Sequence, residues 1–229
     1  MEDNKITGCF IFKENGGNLE FVGDFDGLYR NDDNPWGQKG NDYFRDERFG
    51  IIELLRKYPV NSILNVGSGL GYDTFLMQQL VCNDTSGMDI SQVAVEKAKL
   101  SFPSINFFVG DIRKHTSYNY DMVVLYDVIW YVLPEINKVF DNIYSTLNYG
   151  GYMVITQAFL NDQRYGNDII DGFPGLVKYV SSLKYFTLIE AHYEKSNKHK
   201  YNIGTVILKK MLTLKGNIKR LHDKISSIK

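Results

Sequence analysis

The feature that most narrows what this chain can fold into is a short strand-like run, SILNV, from Ser62 to Val66. It breaks into Gly67-Ser68-Gly69-Leu70-Gly71 and continues at once as the helix-like YDTFLMQQLV. Glycines strip side chains from a tight turn, so such a turn can lay bare backbone against a ligand. Downstream the strand-then-helix rhythm repeats: TSGMDI leads into SQVAVEKAKLSF, and INFFVGDI, DMVVLYDVIWYV, the helical PEINKVFDNIYSTLN and GGYMVITQAF follow. Strands alternating with helices imply crossover connections, hence an α/β fold with a mostly parallel sheet covered on both faces. Sheets of this kind bind ligands at the C-terminal ends of their strands. After the polar insertion AFLNDQRYGNDIIDGF and a helix at GLVKYVSSL, the runs KYFTLIEAHYE and NIGTVILKK flank KSNKHK as a hairpin would, so the sheet is expected to end in an antiparallel edge.

Upstream, GCFIF (8–12) and LEFVG (19–23) read as strands of an N-terminal hairpin around the Asn-Gly-Gly turn signal. The following DFDGLYRNDDNPWGQKGN is dense in Asp, Asn, Gly and Pro and reads as a loop or lid. Apolar spacing then predicts an amphipathic helix from about Asn41 to Tyr58, stopped by Pro59. At the other end, residues 209–229 carry seven Lys or Arg and one Asp, and Met211, Leu214, Ile218, Leu221, Ile225 and Ile228 place one apolar stripe on a basic helix. Docking on the domain or on a second subunit, as in a homodimer, covers such a stripe. Attachment to an anionic membrane surface is the sharper alternative. The expected division is 1–40 hairpin and lid, 41–210 main domain, 211–229 basic helix.

Composition removes several functions. The formal charge of -1 provides no field to draw in nucleic acid. Cys9 and Cys82 have no metal-ligand spacing, so no metal is expected. The N-terminal residues lack a signal-peptide pattern, and the longest apolar stretch is too short to span a bilayer and contains Asp127, so a cytoplasmic protein without an integral membrane segment is expected.

Two acidic residues give the glycine turn its meaning. Asp89 ends the next strand, where a carboxylate can accept from both hydroxyls of a ribose, with Ile90 beside it. Asp111 ends the strand after that, where its carboxylate can meet an adenine amino group and the Ile112 amide a ring nitrogen. From Tyr43 to Lys209 the chain thereby resembles the class I S-adenosylmethionine-dependent methyltransferases. The resemblance implies a Rossmann-like sheet of seven strands with the last antiparallel, and S-adenosyl-L-methionine as cofactor, released as S-adenosyl-L-homocysteine. It implies that Gly67, Gly69 and Gly71 lie under the methionine portion, Asp89 holds ribose and Asp111 holds adenine. Asp127 matches the family's polar residue after the fourth strand, and Gly150-Gly151 its turn before the fifth. The family usually opens the turn with an acid, where this chain has the uncharged Asn65. Upstream, FDGLYRNDDNPWG and YFRDERF are similar to the N-terminal segment of nodulation-type sugar N-methyltransferases, which implies that Tyr29, Trp36 and Arg48 close over the site, with Arg48 on the methionine carboxylate.

Methyl transfer from a sulfonium needs alignment and exclusion of water, and a strong base only for a hydroxyl acceptor. Candidates for that base are Asp127, His192, Tyr29 and His115. The polar insertion and lid suggest a small polar acceptor: a sugar, nucleotide sugar or phosphorylated glycan precursor, as in carbohydrate biosynthesis. The sequence after the fourth strand, Tyr126-Asp127-Val128-Ile129, lacks the Pro-Pro-aromatic motif of nucleic-acid methyltransferases. Two other classes stay open: a non-catalytic nucleoside-binding scaffold, and an NAD-dependent dehydrogenase, whose fingerprint wants Gly where Tyr72 stands.

Overall fold

The computed structural model describes residues 10–39, 46–114, 119–195 and 201–211. Its centre is a seven-stranded sheet built from β3 (Ile63–Val66), β4 (Thr85–Asp89), β5 (Asn106–Val109), β6 (Tyr120–Tyr126), β7 (Leu147–Leu160), β8 (Phe186–Glu194) and β9 (Tyr201–Lys210). The order is β5-β4-β3-β6-β7-β9-β8. All neighbours up to β7 are parallel, and β9 runs antiparallel to both β7 and β8. Strand order therefore reverses between β3 and β6, which opens a crevice at their C-terminal ends.

Burial alternates along each central strand and separates two apolar layers. Val123 and Leu125 of β6, Met153 and Ile155 of β7, and Val206 and Leu208 of β9 face α6 (Ile136–Thr146) and α7 (Gly172–Ser181). Met122, Val124, Val154 and Ile207 face α2 (Asp46–Leu55) and α3 (Tyr72–Leu80). Each such aliphatic side chain contributes roughly 1.5–3 kcal/mol on burial. Helix α4 (Gln92–Ser101) covers β4 and β5 with Val95 and Ala98, and Ser91 caps it by accepting from the Ala94 amide at 3.1 Å.

Four sequence expectations shift. The hairpin is β1 (Phe12–Asn15) and β2 (Asn18–Phe21), not 8–12 and 19–23. Gly16 and Gly17, at φ 59° and 89°, make a two-residue turn that pulls Lys13 to Asn15 into the ladder. The stretch read as a loop contains α1 (Phe25–Asn31), because the Asp24 side chain accepts from the Gly27 amide at 2.8 Å and Leu28 and Tyr29 have a core to enter. Helix α2 begins at Asp46 within the described residues and ends at Leu55, short of Tyr58. The run DMVVLYDVIWYV is not one strand: β6 stops at Tyr126 and Ile129–Val132 is a helical turn, α5, leading into a 3-10 turn at Leu133–Glu135. Asp127 at φ 55° makes the break, in the left-handed region that side chains rarely adopt. Lys209 and Lys210 belong to β9. Both Lys210 and its hydrogen bonds to the Tyr144 and Leu147 carbonyls (2.6 and 2.7 Å) are part of the domain. His115 and the basic stripe beyond Met211 lie outside the described residues.

Candidate active site

At the end of β3, Gly67, Gly69 and Gly71 all take positive φ (70°, 53° and 88°). A Cβ on Gly67 would lie 2.5 Å from Val128 Cγ2, and one on Gly69 would lie 2.8 Å from the Tyr29 hydroxyl. The turn is therefore wedged between the segment after β6 and the N-terminal cap. Beneath it, the Asp89 carboxylate accepts from the Gly69 amide (2.8 Å) with Oδ2 and from the Ser91 amide (2.9 Å) with Oδ1. Turn and acid thus hold each other. Burial raises the Asp89 pKa above the ordinary carboxylate value, and amide bonds from Ser91, Gly69 and Ile90 oppose it. Ile90 next to it is 45% exposed, an apolar surface at the strand end.

These residues suit an adenosyl cofactor. Asn65 and Ser68 are buried, yet Asn65 Oδ1 and Ser68 Oγ have no hydrogen-bond partner, an uncommon state for buried polar atoms. The Asn65 amide nitrogen donates to Thr74 Oγ1 at 2.9 Å, which leaves its oxygen as a free acceptor at the point where a cationic amino group would approach. Asp89 keeps lone pairs for ribose hydroxyls. Asp111 is present at the end of β5, but Arg113 forks onto it at 2.8 Å through both Nε and a terminal nitrogen. Burial pushes the Asp111 pKa up, and the guanidinium outweighs it and holds the group below its ordinary range. Ile112 is buried and its carbonyl accepts from the Asn142 side chain at 2.9 Å.

The N-terminal cap is fastened by groups the sequence reading did not single out. The Trp36 indole donates to the Tyr29 hydroxyl at 2.9 Å. Buried Gln38 accepts from the Leu70 amide (3.1 Å) and donates to Asp73 (3.3 Å), while Asp26 accepts from Ser91 Oγ at 2.6 Å. Arg48 pairs with Asp73 at 3.5 Å and lies 5.9 Å from the centre of the Tyr126 ring. Lid residues Tyr29 and Trp36 and helix residue Arg48 are thus gathered at the turn, with Asp73 rather than a ligand as the carboxylate beside Arg48.

The three candidate bases among the described residues part company. Burial, followed by the Asp89 charge, holds the Tyr29 phenol well above its usual range, an unfavourable state for accepting a proton. His192 sits on β8 beside Glu190 at 2.6 Å, and β7 and β9 separate β8 from β6, a gap of about 14 Å at ordinary strand spacing. Asp127 lies next to Val128 and so at the glycine turn. Its Oδ1 accepts from the Ala158 amide (2.7 Å) and from Gln157 Nε2 (3.0 Å). Among the described residues no group of three or more His, Cys, Asp or Glu is placed to hold a metal, and no helix is long and apolar enough to cross a membrane.

Comparison with known proteins gives the fold and site a class. A family model described as a methyltransferase domain matches residues 63–151. The arsenite methyltransferase of Mus musculus is 30% identical over 115 residues, covering 42% of this chain and 30% of that protein. That of Halobacterium salinarum is 30% identical over 139 residues, covering 55% and 36%. The chain thus spans about a third of the length of these curated relatives. Among solved structures, the N-methyltransferase NodS of Bradyrhizobium japonicum in complex with S-adenosyl-L-homocysteine superposes with a TM-score of 0.61 at 16% identity, over 78% of this chain and 93% of that one. Strand order and glycine turn agree with these matches: residues 63–151 are similar to a methyltransferase domain, and the fold is that of the class I S-adenosylmethionine-dependent methyltransferases.

The pH dependence of cofactor binding follows from Asp89. If Asp89 holds the ribose, as the sequence resemblance implies, its ionised form is the one that would accept from the hydroxyls, and its pKa in the free protein is raised. Affinity for S-adenosylhomocysteine is therefore expected to be level at neutral pH and to fall on acidification while still above the ordinary aspartate value of about 3.9. Calorimetric titration from pH 8 downward measures this. An affinity that stays constant to below that value would contradict the assignment.

Proposed function

We propose that the chain transfers the methyl group of S-adenosylmethionine to an oxygen or nitrogen of a small polar acceptor such as a sugar or sugar nucleotide. The observation that carries this reading is the mutual hold of Asp89 and the Gly69 amide at the C-terminal ends of β4 and β3. The cofactor supplies an electrophilic methyl: the acceptor lone pair forms the new bond while the carbon–sulfur bond breaks and sulfur keeps its electrons. Asn65 Oδ1, Ser68 Oγ and the bare turn would hold the amino-acid end, and Asp89 and Ile90 the adenosine. The cap of Tyr29, Trp36 and Gln38 keeps water from the turn, which suits a displacement that hydrolysis would otherwise waste.

Support for a small acceptor comes from the similarity in fold to NodS, described as an N-methyltransferase, and from the formal net charge of -1, which favours no nucleic-acid partner. The arsenite relatives favour a different acceptor, but a soft metalloid calls for several thiolates. This sequence has two cysteines. Cys82 is buried after α3, before the N-terminal end of β4 and so at the opposite end of that strand from Asp89, and burial pushes its thiol pKa up. Incubation with methyl-labelled S-adenosylmethionine and whole-cell extract, fractionated afterwards into small molecules, protein and nucleic acid, tests the reading. Label in a polar metabolite is expected. Label confined to protein, nucleic acid or arsenic species would overturn the acceptor assignment, and no label with any extract would favour a nucleoside-binding scaffold.

A further inference from the structure

The turn after β6 combines backbone strain with a dense set of fixed polar contacts. Asp127 is the one residue other than glycine with positive φ among those described. A strained residue persists where its surroundings over-determine it. Here the Asp127 amide donates to the Thr156 carbonyl at 2.9 Å, and its Oδ1 takes two hydrogen bonds from the end of β7. Gln157, which is 1% exposed, spans the turn by donating to Asp127 and accepting from the Ile129 amide at 3.1 Å. The Trp130 indole donates to the Ala158 carbonyl at 3.0 Å. Gln157 is thus a positioning residue that fixes a carboxylate beside Val128, the side chain that abuts Gly67.

Aromatic rings gather next to that carboxylate. Tyr131, on α5, has the rings of Phe25 (5.2 Å), Phe12 (6.1 Å), Phe21 (6.1 Å) and Trp36 (6.2 Å) around it, and Tyr165 lies 5.0 Å from Phe12. These six rings come from the hairpin, the cap, α5 and the insertion after β7, and each is half-buried, leaving ring surface open. Ring faces attract cations, as does a carboxylate. Arg113, Arg164 and Arg48 each have a carboxylate beside them: Arg113 has Asp111 and Glu135, Arg164 has Glu14, and Arg48 has Asp73 at 3.5 Å, although its Nη1 makes no hydrogen bond. An anionic acceptor would meet an aspartate with these guanidinium groups committed elsewhere.

We propose that Asp127 and the ring cluster on Tyr131 form an acceptor subsite for a primary or secondary amine, with the Asp127 carboxylate as its counter-ion. This rests on the methyltransferase reading and narrows its acceptor to nitrogen, against a phosphorylated one. Asp127 accepts a hydrogen bond from the ammonium and takes the proton that nitrogen must shed to expose its lone pair, passing it on to water.

The test uses the whole chain saturated with S-adenosylhomocysteine and paired probes that differ at the nitrogen: ethanolamine against ethylene glycol, and glucosamine against N-acetylglucosamine. Ligand-observed NMR is expected to detect the amine of each pair and not its partner. Asp127→Asn keeps an oxygen for Ala158 and Gln157 and tolerates positive φ, so it removes charge with little change of shape. It should weaken amine binding about tenfold or more, the scale of one charge-assisted contact, and leave S-adenosylhomocysteine affinity unchanged. Tyr131→Leu should weaken it as well. Equal binding of both members of each pair, no amine binding, or amine binding indifferent to both substitutions would overturn the subsite. Failure to bind S-adenosylhomocysteine would instead overturn the methyltransferase reading on which it rests.

Discussion

Replacing Asp89 with alanine is expected to lower affinity for S-adenosylhomocysteine by at least about a hundredfold. Two ribose hydroxyls donating to one carboxylate are charge-assisted hydrogen bonds, each of about 1.5–3 kcal/mol, and their sum exceeds two decades in dissociation constant. The same change removes the acceptor of the Gly69 and Ser91 amides, which loosens the turn that carries the ligand. It also relieves the burial that raises this carboxyl's pKa, so the stability change is expected to be small beside the binding loss. Calorimetry on the folded variant, with its thermal midpoint measured alongside, separates the two effects. Binding within a few-fold of the parent would remove Asp89 from the site.

The largest stability effect is expected at Gly71. Any side chain there enters the left-handed region at φ 88°, which costs about 1–2 kcal/mol. Its Cβ would also lie 2.6 Å from Phe107 Cζ and 3.1 Å from both Ala98 Cβ and Phe102 Cδ2. Phe107 is wholly buried between the sheet and α4, so relief requires repacking that costs about 1–3 kcal/mol more. Gly71→Ala should therefore lose about 2–5 kcal/mol in urea unfolding. Gly67→Ala is the useful comparison. Its overlap is with Val128 Cγ2 alone, at 2.5 Å, a single side chain next to the acceptor turn. It should cost less stability and more cofactor affinity. A Gly71→Ala loss under about 1 kcal/mol would contradict the packing described.

What could be read in the sequence was what local pattern encodes. The glycine turn, the strand-terminal Asp89 and the alternation of strands and helices stand within short windows, and the sheet has the expected seven strands and antiparallel edge. The misread elements are those where one side chain overrides composition. Asp24 capping its own helix turns an apparent loop into α1, and Asp127 held at positive φ turns the apolar VIWYV out of the sheet. Gln38, Asp73 and Gln157 were not legible because their work is done over long separations in the chain. Gln38 bonds to residues 32 and 35 positions away, and Gln157 bonds back 30 positions to Asp127. A lone amide or a carboxylate in the first turn of a helix carries no sign of such a partner. His192 illustrates the converse. A histidine is attractive by residue type, and sheet order alone removes it from the glycine turn.

The structure of the chain bound to S-adenosylhomocysteine bears most directly on this account. The prediction is a ribose whose two hydroxyls meet the Asp89 carboxylate, an amino-acid end crossing Gly67 within reach of Asn65 Oδ1, and a sulfur turned toward the Asp127–Val128 peptide. A ligand lodged elsewhere on the sheet, or a crevice that admits a nicotinamide dinucleotide and refuses the adenosyl compound, would contradict it.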